Sequence, residues 1–435
     1  MSEYADLKIG NQTIWLFRNY LERSIISLFF NDNSFSKREN AKYDETDAEE
    51  EPHTEYKYCS QVKLVKERFD ALGISIQKVK NEFEKLKYVS IDCFSSFSWK
   101  DDPDEYEERS KNIIDRNVTF QKWFNSISKI IDYERGNGRI TEYSNSSFTP
   151  KTACQKLIFN SMREDNDCYY GMNEKWNYKY TFRILLECFN DEELVECDFS
   201  NLFYWDEQPN EKILFGGPAE KTIVMVEGVN DKKILEFSSK RLFPHLYDIF
   251  YFMDFEYSNN KKRQGGADAI ANNTKAFISA NLKQSFIAIF DNDTAGVFKK
   301  KQLVEDLNNR VPNNYRIINY PNLSFFEKYP TISPNGKIIS DCINQRACSI
   351  ELYLPDRFLI KNSAFYPIQW ESLMSLKTRG GTLSSYQGVI TNKEAIEKDF
   401  DNYIKDIVNG REVFNKFEWE RMEILLRKLF FCFCE

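Results

Sequence analysis

The chain has few of the residues that build metal sites from soft ligands. It has two histidines, His53 and His245, and its ten cysteines include no Cys-x-x-Cys pair. Zinc modules need cysteine and histidine at close, repeated spacing, so we expect no zinc ribbon. Cysteines scattered without a paired framework are typical of a reducing compartment, and we interpret these thiols as buried and reduced. The sequence therefore predicts an intracellular, cytoplasmic protein without a zinc module.

Long apolar runs and turn-forming residues are also scarce. No stretch of about 18 apolar residues occurs, so we expect no membrane span. The first residues lack the charged and apolar regions that would mark a secretory signal. With 16 glycines and 12 prolines in 435 residues, helix is favoured over turn-rich structure. Hydrophobic residues make up 42% and aromatic residues 15%, which predicts two or three domains with aromatic-rich cores.

Two short acidic motifs each follow an apolar run. Glu-Gly-Val-Asn-Asp (227–231) follows residues 223–226, and Asp-Asn-Asp-Thr-Ala-Gly (291–296) follows residues 286–290. Carboxylates at the ends of parallel strands lie at the rim of a sheet, where open α/β folds bind their ligands. Four carboxylates there would repel one another unless they surrounded a divalent cation, and Mg²⁺ prefers such oxygen ligands. The pair of motifs indicates metal-assisted attack on a phosphodiester, although each motif alone is also typical of a turn or a helix cap.

The order of these motifs, with Gly265-Gly266 and a helical stretch between them, resembles the Toprim domain of topoisomerases, primases and OLD-type nucleases. The resemblance covers about residues 221–354. It implies a parallel sheet flanked by helices, with catalysis by Glu227, Asp291 and Asp293. It also implies that the acids at the family's metal positions bind Mg²⁺ or Mn²⁺: Glu227, Asp231, Asp291 and Asp293.

A further acid, Glu351, lies in the otherwise apolar stretch 349–354. A glutamate in such surroundings costs free energy unless it is paired. Similar glutamates in OLD-type nucleases help to hold a second metal, so the resemblance implies that Glu351 is a metal ligand. Structural pairing with a lysine or an arginine is the alternative.

The flanks of this region resemble proteins described as HEPN/Toprim-associated, at residues 4–14, 62–83, 349–355 and 386–388. This second resemblance implies a bacterial Toprim enzyme, a metal-dependent nuclease that cuts DNA or RNA in anti-phage defence. Catalytic HEPN ribonucleases use an Arg-x4–6-His motif, which neither histidine of this chain completes. We therefore expect no HEPN chemistry in the N-terminal half.

Composition divides the chain into three predicted domains. Residues 1–215 predict a mostly helical domain that opens with a β-hairpin, residues 220–355 the Toprim sheet, and residues 356–435 a C-terminal extension packed on the core. The string 216–222 lacks the glycine that a phosphate loop has before its lysine. Any ATPase activity would therefore come from a partner protein, such as an ATPase or a sensor. The sequence is compatible with an oligomer.

Nucleic acid is the expected substrate, although the net charge of −8 does not favour its binding over the whole surface. Basic residues that could contact it flank the acidic motifs: Lys232, Lys261, Lys262, Arg263, Lys299 and Lys300. These side chains are equally typical of solvated surface, and a partner could supply the positive charge. A regulatory Toprim subunit of a multi-protein defence complex, which binds metal without turnover, is the main alternative to a nuclease. A topoisomerase or a primase is a further one.

Overall fold

The computed structural model describes residues 4–41, 53–88, 114–137, 148–156, 158, 176–203, 221–255, 266–378 and 381–434. The chain forms two compact units, residues 1–219 with 433–435, and residues 220–432. Most of the predicted C-terminal extension thus lies in the same unit as the predicted Toprim range. The predicted contacts at 261–263 and the first glycine of the Gly-Gly turn lie outside the described residues. No helix in the described part of the chain has the length and apolar content needed to cross a membrane.

The N-terminal unit contains a five-stranded antiparallel sheet of order β2-β1-β5-β4-β3. Its strands are β1 (Tyr4–Ile9), β2 (Gln12–Arg18), β3 (Phe35–Ala41), β4 (His53–Gln61) and β5 (Leu194–Asp198). Its helices include α1 (Arg23–Phe29), α2 (Val62–Ala71), α3 (Ile76–Leu86), α4 (Phe120–Asn137) and α5 (Tyr178–Glu187).

The sheet adds strands to an N-terminal domain that the sequence predicts as mostly helical with a single opening hairpin. The predicted hairpin is present as β1 and β2, but it is one side of a larger sheet. In β4 and β5 the buried residues are few and alternate with polar ones, as at Tyr56 and Tyr58 and at Val195 and Cys197. So short an alternation is a weak strand signal in a single sequence, and these strands also pair with segments far away along the chain.

The C-terminal unit is built on a four-stranded parallel sheet of order β10-β8-β6-β7. The strands of this unit are β6 (Thr222–Met225), β7 (Phe250–Met253), β8 (Phe286–Phe290), β9 (Asn292–Asp293), β10 (Tyr315–Asn319), β11 (Tyr329–Ile332), β12 (Ile338–Asp341), β13 (Ala347–Cys348), β14 (Ile360–Lys361), β15 (Ala364–Phe365), β16 (Ile368–Thr378) and β17 (Gly381–Ile390). Its helices are α6 (Val229–Leu242), α7 (Ala267–Ser279), α8 (Thr294–Asp306), α9 (Asp356–Leu359), α10 (Lys393–Val408) and α11 (Glu420–Phe430). The predicted parallel sheet with intervening helices is confirmed.

The register of the parallel strands brings their carboxyl ends to one edge. All five residues of β8 are buried, and β8 pairs with β6 on one side and with β10 on the other. Ile270 of α7 and Leu303 of α8 belong to the same hydrophobic cluster as Met225, Ala288 and Phe290 of the sheet. This packing fixes the strand ends, so the residues that follow β6, β8 and β10 are held as neighbours.

A second sheet of order β12-β11-β16-β17 lies in the same unit. The sequence predicts a loop over residues 325–338, and this is wrong because β11 lies there. Strand β13 pairs with β9, inside the second acidic motif, and the Gly388 N–H of β17 donates to Arg346 O at 2.9 Å. A Cβ at position 388 would lie 2.4 Å from the Ile368 side chain and 2.5 Å from Ala347 Cβ, so only glycine allows this approach.

Candidate active site

The carboxyl ends of β6 and β8 bring Glu227 and Asp291 into contact. The Asp291 N–H donates to Glu227 Oε1 at 3.2 Å. The Gly266 N–H donates to Glu227 O at 3.0 Å, and Gly266 has a φ of +88°, a region that favours glycine. The structure therefore places the described part of the Gly-Gly turn against the first acidic motif and brings together two acids that lie in different motifs.

Asp293 caps the helix that follows it. Its Oδ1 accepts from the Gly296 N–H at 2.7 Å, and its Oδ2 accepts from Gln387 Nε2 at 2.6 Å. The helix-cap interpretation of the second motif thus holds for this residue. Because each carboxylate oxygen has two lone pairs, Asp293 can cap α8 and still bind a cation. Gln387, on β17, is a contact that the acidic motifs alone do not indicate.

Asp231 and Glu351 each have a partner of their own. Asp231 lies in the first turn of α6 and accepts a hydrogen bond from Tyr320 OH at 3.0 Å. Glu351 is fully buried; its Oε1 lies 3.0 Å from Lys393 Nζ, and its Oε2 accepts from Ser349 Oγ at 2.7 Å. The structure therefore contains the lysine pairing that the sequence left open as the alternative role of Glu351.

Lys393 is the cation of this site that sequence reasoning missed. The positive charge of Lys393 opposes the rise in the pKa values of Glu227, Asp231 and Asp293. Burial lowers the pKa of Lys393 itself, but the negative charge of Glu351 raises it. Lys393 is the first residue of α10. A positive charge at a helix N-terminus is unfavourable with the helix dipole, and the ion pair with Glu351 offsets that cost here.

The acids of this site raise one another's pKa values. Burial, followed by neighbouring carboxylates, raises the pKa of Glu227 to about 7, against the lowering effect of the Asp291 N–H. Burial and then Glu351 raise the pKa of Asp231 to about 6. Burial and then Glu227 raise the pKa of Asp291 well above its ordinary value. Buried carboxyl groups that raise one another's pKa values are typical of functional sites.

Asp291 Oδ1 is an acidic oxygen of this site that can take a ligand. It is buried and has no hydrogen-bond donor among the described residues, an arrangement that costs free energy. No group of three or more His, Cys, Asp or Glu side chains in the described ranges could hold a metal ion by itself. Mg²⁺, however, is commonly bound by one or two carboxylates together with water and substrate phosphates. The oxygen donors fit Mg²⁺ or Mn²⁺ in such an open site.

The predicted nucleic-acid contacts differ in their surroundings. Lys232 Nζ lies 3.1 Å from Asp254, and Lys299 Nζ lies 2.6 Å from Asp268. Lys300 has no ion pair within the described part of the chain. Of these three lysines, Lys300 is therefore the one whose charge is not already used within the fold.

The second motif depends on glycine at position 296. A Cβ there would lie 2.4 Å from Asp291 O, a backbone atom that cannot move aside cheaply. We expect Gly296→Ala to displace the segment that carries the acids and to reduce activity at least tenfold. In Gly228→Ala the new Cβ would lie 3.3 Å from a side-chain oxygen of Asp231, which is a smaller conflict. The two variants should be compared by initial rate and by melting temperature; equal activity of both would contradict this role for Gly296.

Comparison with known proteins gives one match. Residues 1–208 match the family model described as HEPN/Toprim N-terminal domain 1. This match supports the HEPN/Toprim-associated family, whose name hints at a nuclease-associated role, but it does not reach the acids described above. No curated protein and no solved structure matches the chain.

Proposed function

We propose that this chain is a Toprim nuclease that hydrolyses phosphodiester bonds of DNA or RNA with Mg²⁺ or Mn²⁺. The observation that carries the proposal is the buried Asp291 Oδ1, without a donor among the described residues, beside Glu227 at the carboxyl edge of a parallel sheet. The family match of residues 1–208 supports a nuclease-associated role. A part in bacterial anti-phage defence follows from the resemblance to HEPN/Toprim-associated proteins.

The residues of the site divide the chemistry between them. Asp291 and Glu227, together with water and phosphate oxygens, would hold the cation, which when bound stabilises charge on the phosphate and activates water. Asp293, which caps α8, adds its negative charge beside them. If Glu227 does not ligate the cation, it is the candidate general acid–base, because its pKa of about 7 in the metal-free protein lets it accept or release a proton near neutral pH. Lys393 favours the ionised forms of the neighbouring acids.

A regulatory subunit that binds a cation without turnover is the second candidate. The ion pair between Lys393 and Glu351 favours it, because that pair engages one of the five predicted metal ligands. The nuclease and the regulatory subunit would both bind a cation, but only the nuclease would cleave a substrate.

A cleavage assay on the purified chain tests the proposal. Supercoiled plasmid, single-stranded DNA and transfer RNA are each incubated with Mg²⁺, with Mn²⁺ and with chelator. We expect nicks or fragments with the metals and none with chelator. Relaxed closed circles would indicate a topoisomerase, and intact substrates together with measurable Mn²⁺ binding would favour the regulatory subunit.

The metal-free protein should lose stability as the pH rises. The pKa values of Glu227, about 7, and Asp231, about 6, lie above their ordinary values. The folded state therefore binds protons that the unfolded state has released, so the free energy of unfolding falls between about pH 5 and pH 8. We expect Mg²⁺ to raise the melting temperature more at about pH 8 than at about pH 5.5, because protonated acids do not bind it. Thermal unfolding at both pH values measures this, and the same Mg²⁺ effect at both would contradict it.

A further inference from the structure

A cleft of about 580 Å³ with both polar and apolar walls lies in the C-terminal unit, and its lining includes Asn292, the residue between Asp291 and Asp293. Its volume is that of a small-ligand site. Lysines and side-chain amides contribute most of its functional groups: Lys300, Lys301, Lys428, Asn292, Asn322 and Gln345. Even without Lys428, the two lysines Lys300 and Lys301 outnumber the one carboxylate of the lining, Glu305, so the lining carries a net positive charge. The cleft therefore suits an anion, in contrast to the acidic site next to it.

The cleft and the acidic site share their walls. Asn292 lies between Asp291 and Asp293, is 2% exposed, and donates from Nδ2 to Asn322 Oδ1 at 2.9 Å. Asn319, which also lines the cleft, donates from Nδ2 to Asp291 O at 2.8 Å. The segments that carry the acids thus also line the cleft. A nucleic-acid strand bound at the acidic site would therefore reach the cleft.

Lys300 gives the cleft a charge that the fold itself does not use. It is partly buried, and burial lowers its pKa. No carboxylate pairs with it within the described ranges, whereas the adjacent Lys299 points to Asp268 at 2.6 Å. A partly buried ammonium without an acidic partner is costly, and a phosphate group would supply the missing negative charge.

We propose that this cleft binds the phosphate of a nucleotide adjacent to the bond that is cut, with Lys300 as the principal phosphate contact. This inference rests on the proposed nuclease function, since it places the substrate strand across the acids and the cleft. The same phosphate chemistry would admit a free nucleotide, so the experiment has one arm for each source.

The first arm measures binding of a labelled single-stranded oligonucleotide by fluorescence anisotropy, without divalent metal and in an Asp291→Asn background that prevents cleavage. We expect Lys300→Ala to weaken binding about five- to tenfold and to reduce the slope of log affinity against log salt by about 1. Lys300→Arg should retain most of the affinity, because the positive charge remains. Lys275→Ala, the matched control, should bind within about twofold of its parent, since Lys275 is paired with Asp306 at 2.6 Å and does not line the cleft. Melting temperatures confirm that each variant is folded.

The second arm measures binding of adenosine 5′-monophosphate to the same variants by calorimetry. If Lys300→Ala weakens nucleotide binding but not oligonucleotide binding, the phosphate site is supported with a free nucleotide as its ligand. If Lys300→Ala changes neither, while the folded parent binds the oligonucleotide, the inference is overturned. The nuclease proposal fails separately, through intact substrates in the cleavage assay, because neither binding arm requires turnover.

Discussion

Asp291→Asn should abolish cleavage and, in metal-free buffer, raise the melting temperature. Asparagine occupies nearly the same volume but carries no negative charge. It therefore removes the cation ligand and also a charge that is unfavourable, because burial and then repulsion from Glu227 raise the pKa of Asp291. A metal ion contributes several kcal/mol to phosphodiester hydrolysis, so we expect the rate to fall by about 10³-fold or more. We expect a stabilisation of about 1 kcal/mol, or about 2–4 °C in a domain of this size, as is common where function requires strained charges.

Asp268→Asn is the matched control for this variant. Asp268 has the same chemistry, but its carboxylate pairs with Lys299 and is 72% exposed. We expect this control to cut at the wild-type rate and to change the melting temperature by less than about 1 °C, since exposed ion pairs contribute little. An Asp291→Asn protein that cuts normally, or that is less stable than the wild type at about pH 8 without metal, would contradict the role of Asp291.

Lys393→Ala should be the most destabilising single substitution at the site. It leaves Glu351, which is fully buried, without its cation. Breaking a buried ion pair costs about 3–5 kcal/mol. The Lys393 side chain is 45% exposed, so solvent already screens the pair and we expect a loss of about 2–3 kcal/mol. The cleavage optimum should also move to higher pH, because the lysine lowers the pKa values of Glu227 and Asp231.

A double-mutant cycle separates the ion pair from other effects of Lys393. Glu351→Gln keeps an acceptor for Ser349 Oγ and removes the buried charge, so Lys393→Ala should cost much less in that background. Lys398→Ala, an exposed lysine on the same helix, controls for the general effect of losing a lysine from α10. Chemical denaturation gives the free energies, and equal losses for Lys393→Ala and Lys398→Ala would contradict the structural importance of the pair.

The parallel sheet could be predicted from the sequence because its signals are local. Residues 286–290 form an unbroken apolar strand that is buried on both faces, and an acid, then a glycine and a helix, follow directly. The antiparallel sheet of the N-terminal unit could not be predicted in the same way. Its central pairings, such as Asp6 with Asp198, join distant segments, and each strand buries few residues on one face.

The same distinction applies to the site. Glu227 and Asp291 could be placed together because both directly follow parallel strands of one sheet. Tyr320, just after β10, Gln387 on β17 and Lys393 on α10 contact the acids, and no periodicity of those segments indicates the acid that each will contact. The polar partners of an acidic cluster depend on long-range folding, whereas its location at the strand ends follows from local pattern.

Diffraction from crystals soaked in Mn²⁺ tests most directly whether the acids at positions 227 and 291 share a divalent cation. We expect an anomalous peak at about 2.1 Å from Asp291 Oδ1 and within reach of Glu227, absent from Asp291→Asn crystals soaked in the same way. Saturating Mn²⁺ with no peak between these two side chains, or a peak that survives in Asp291→Asn, would contradict a shared cation.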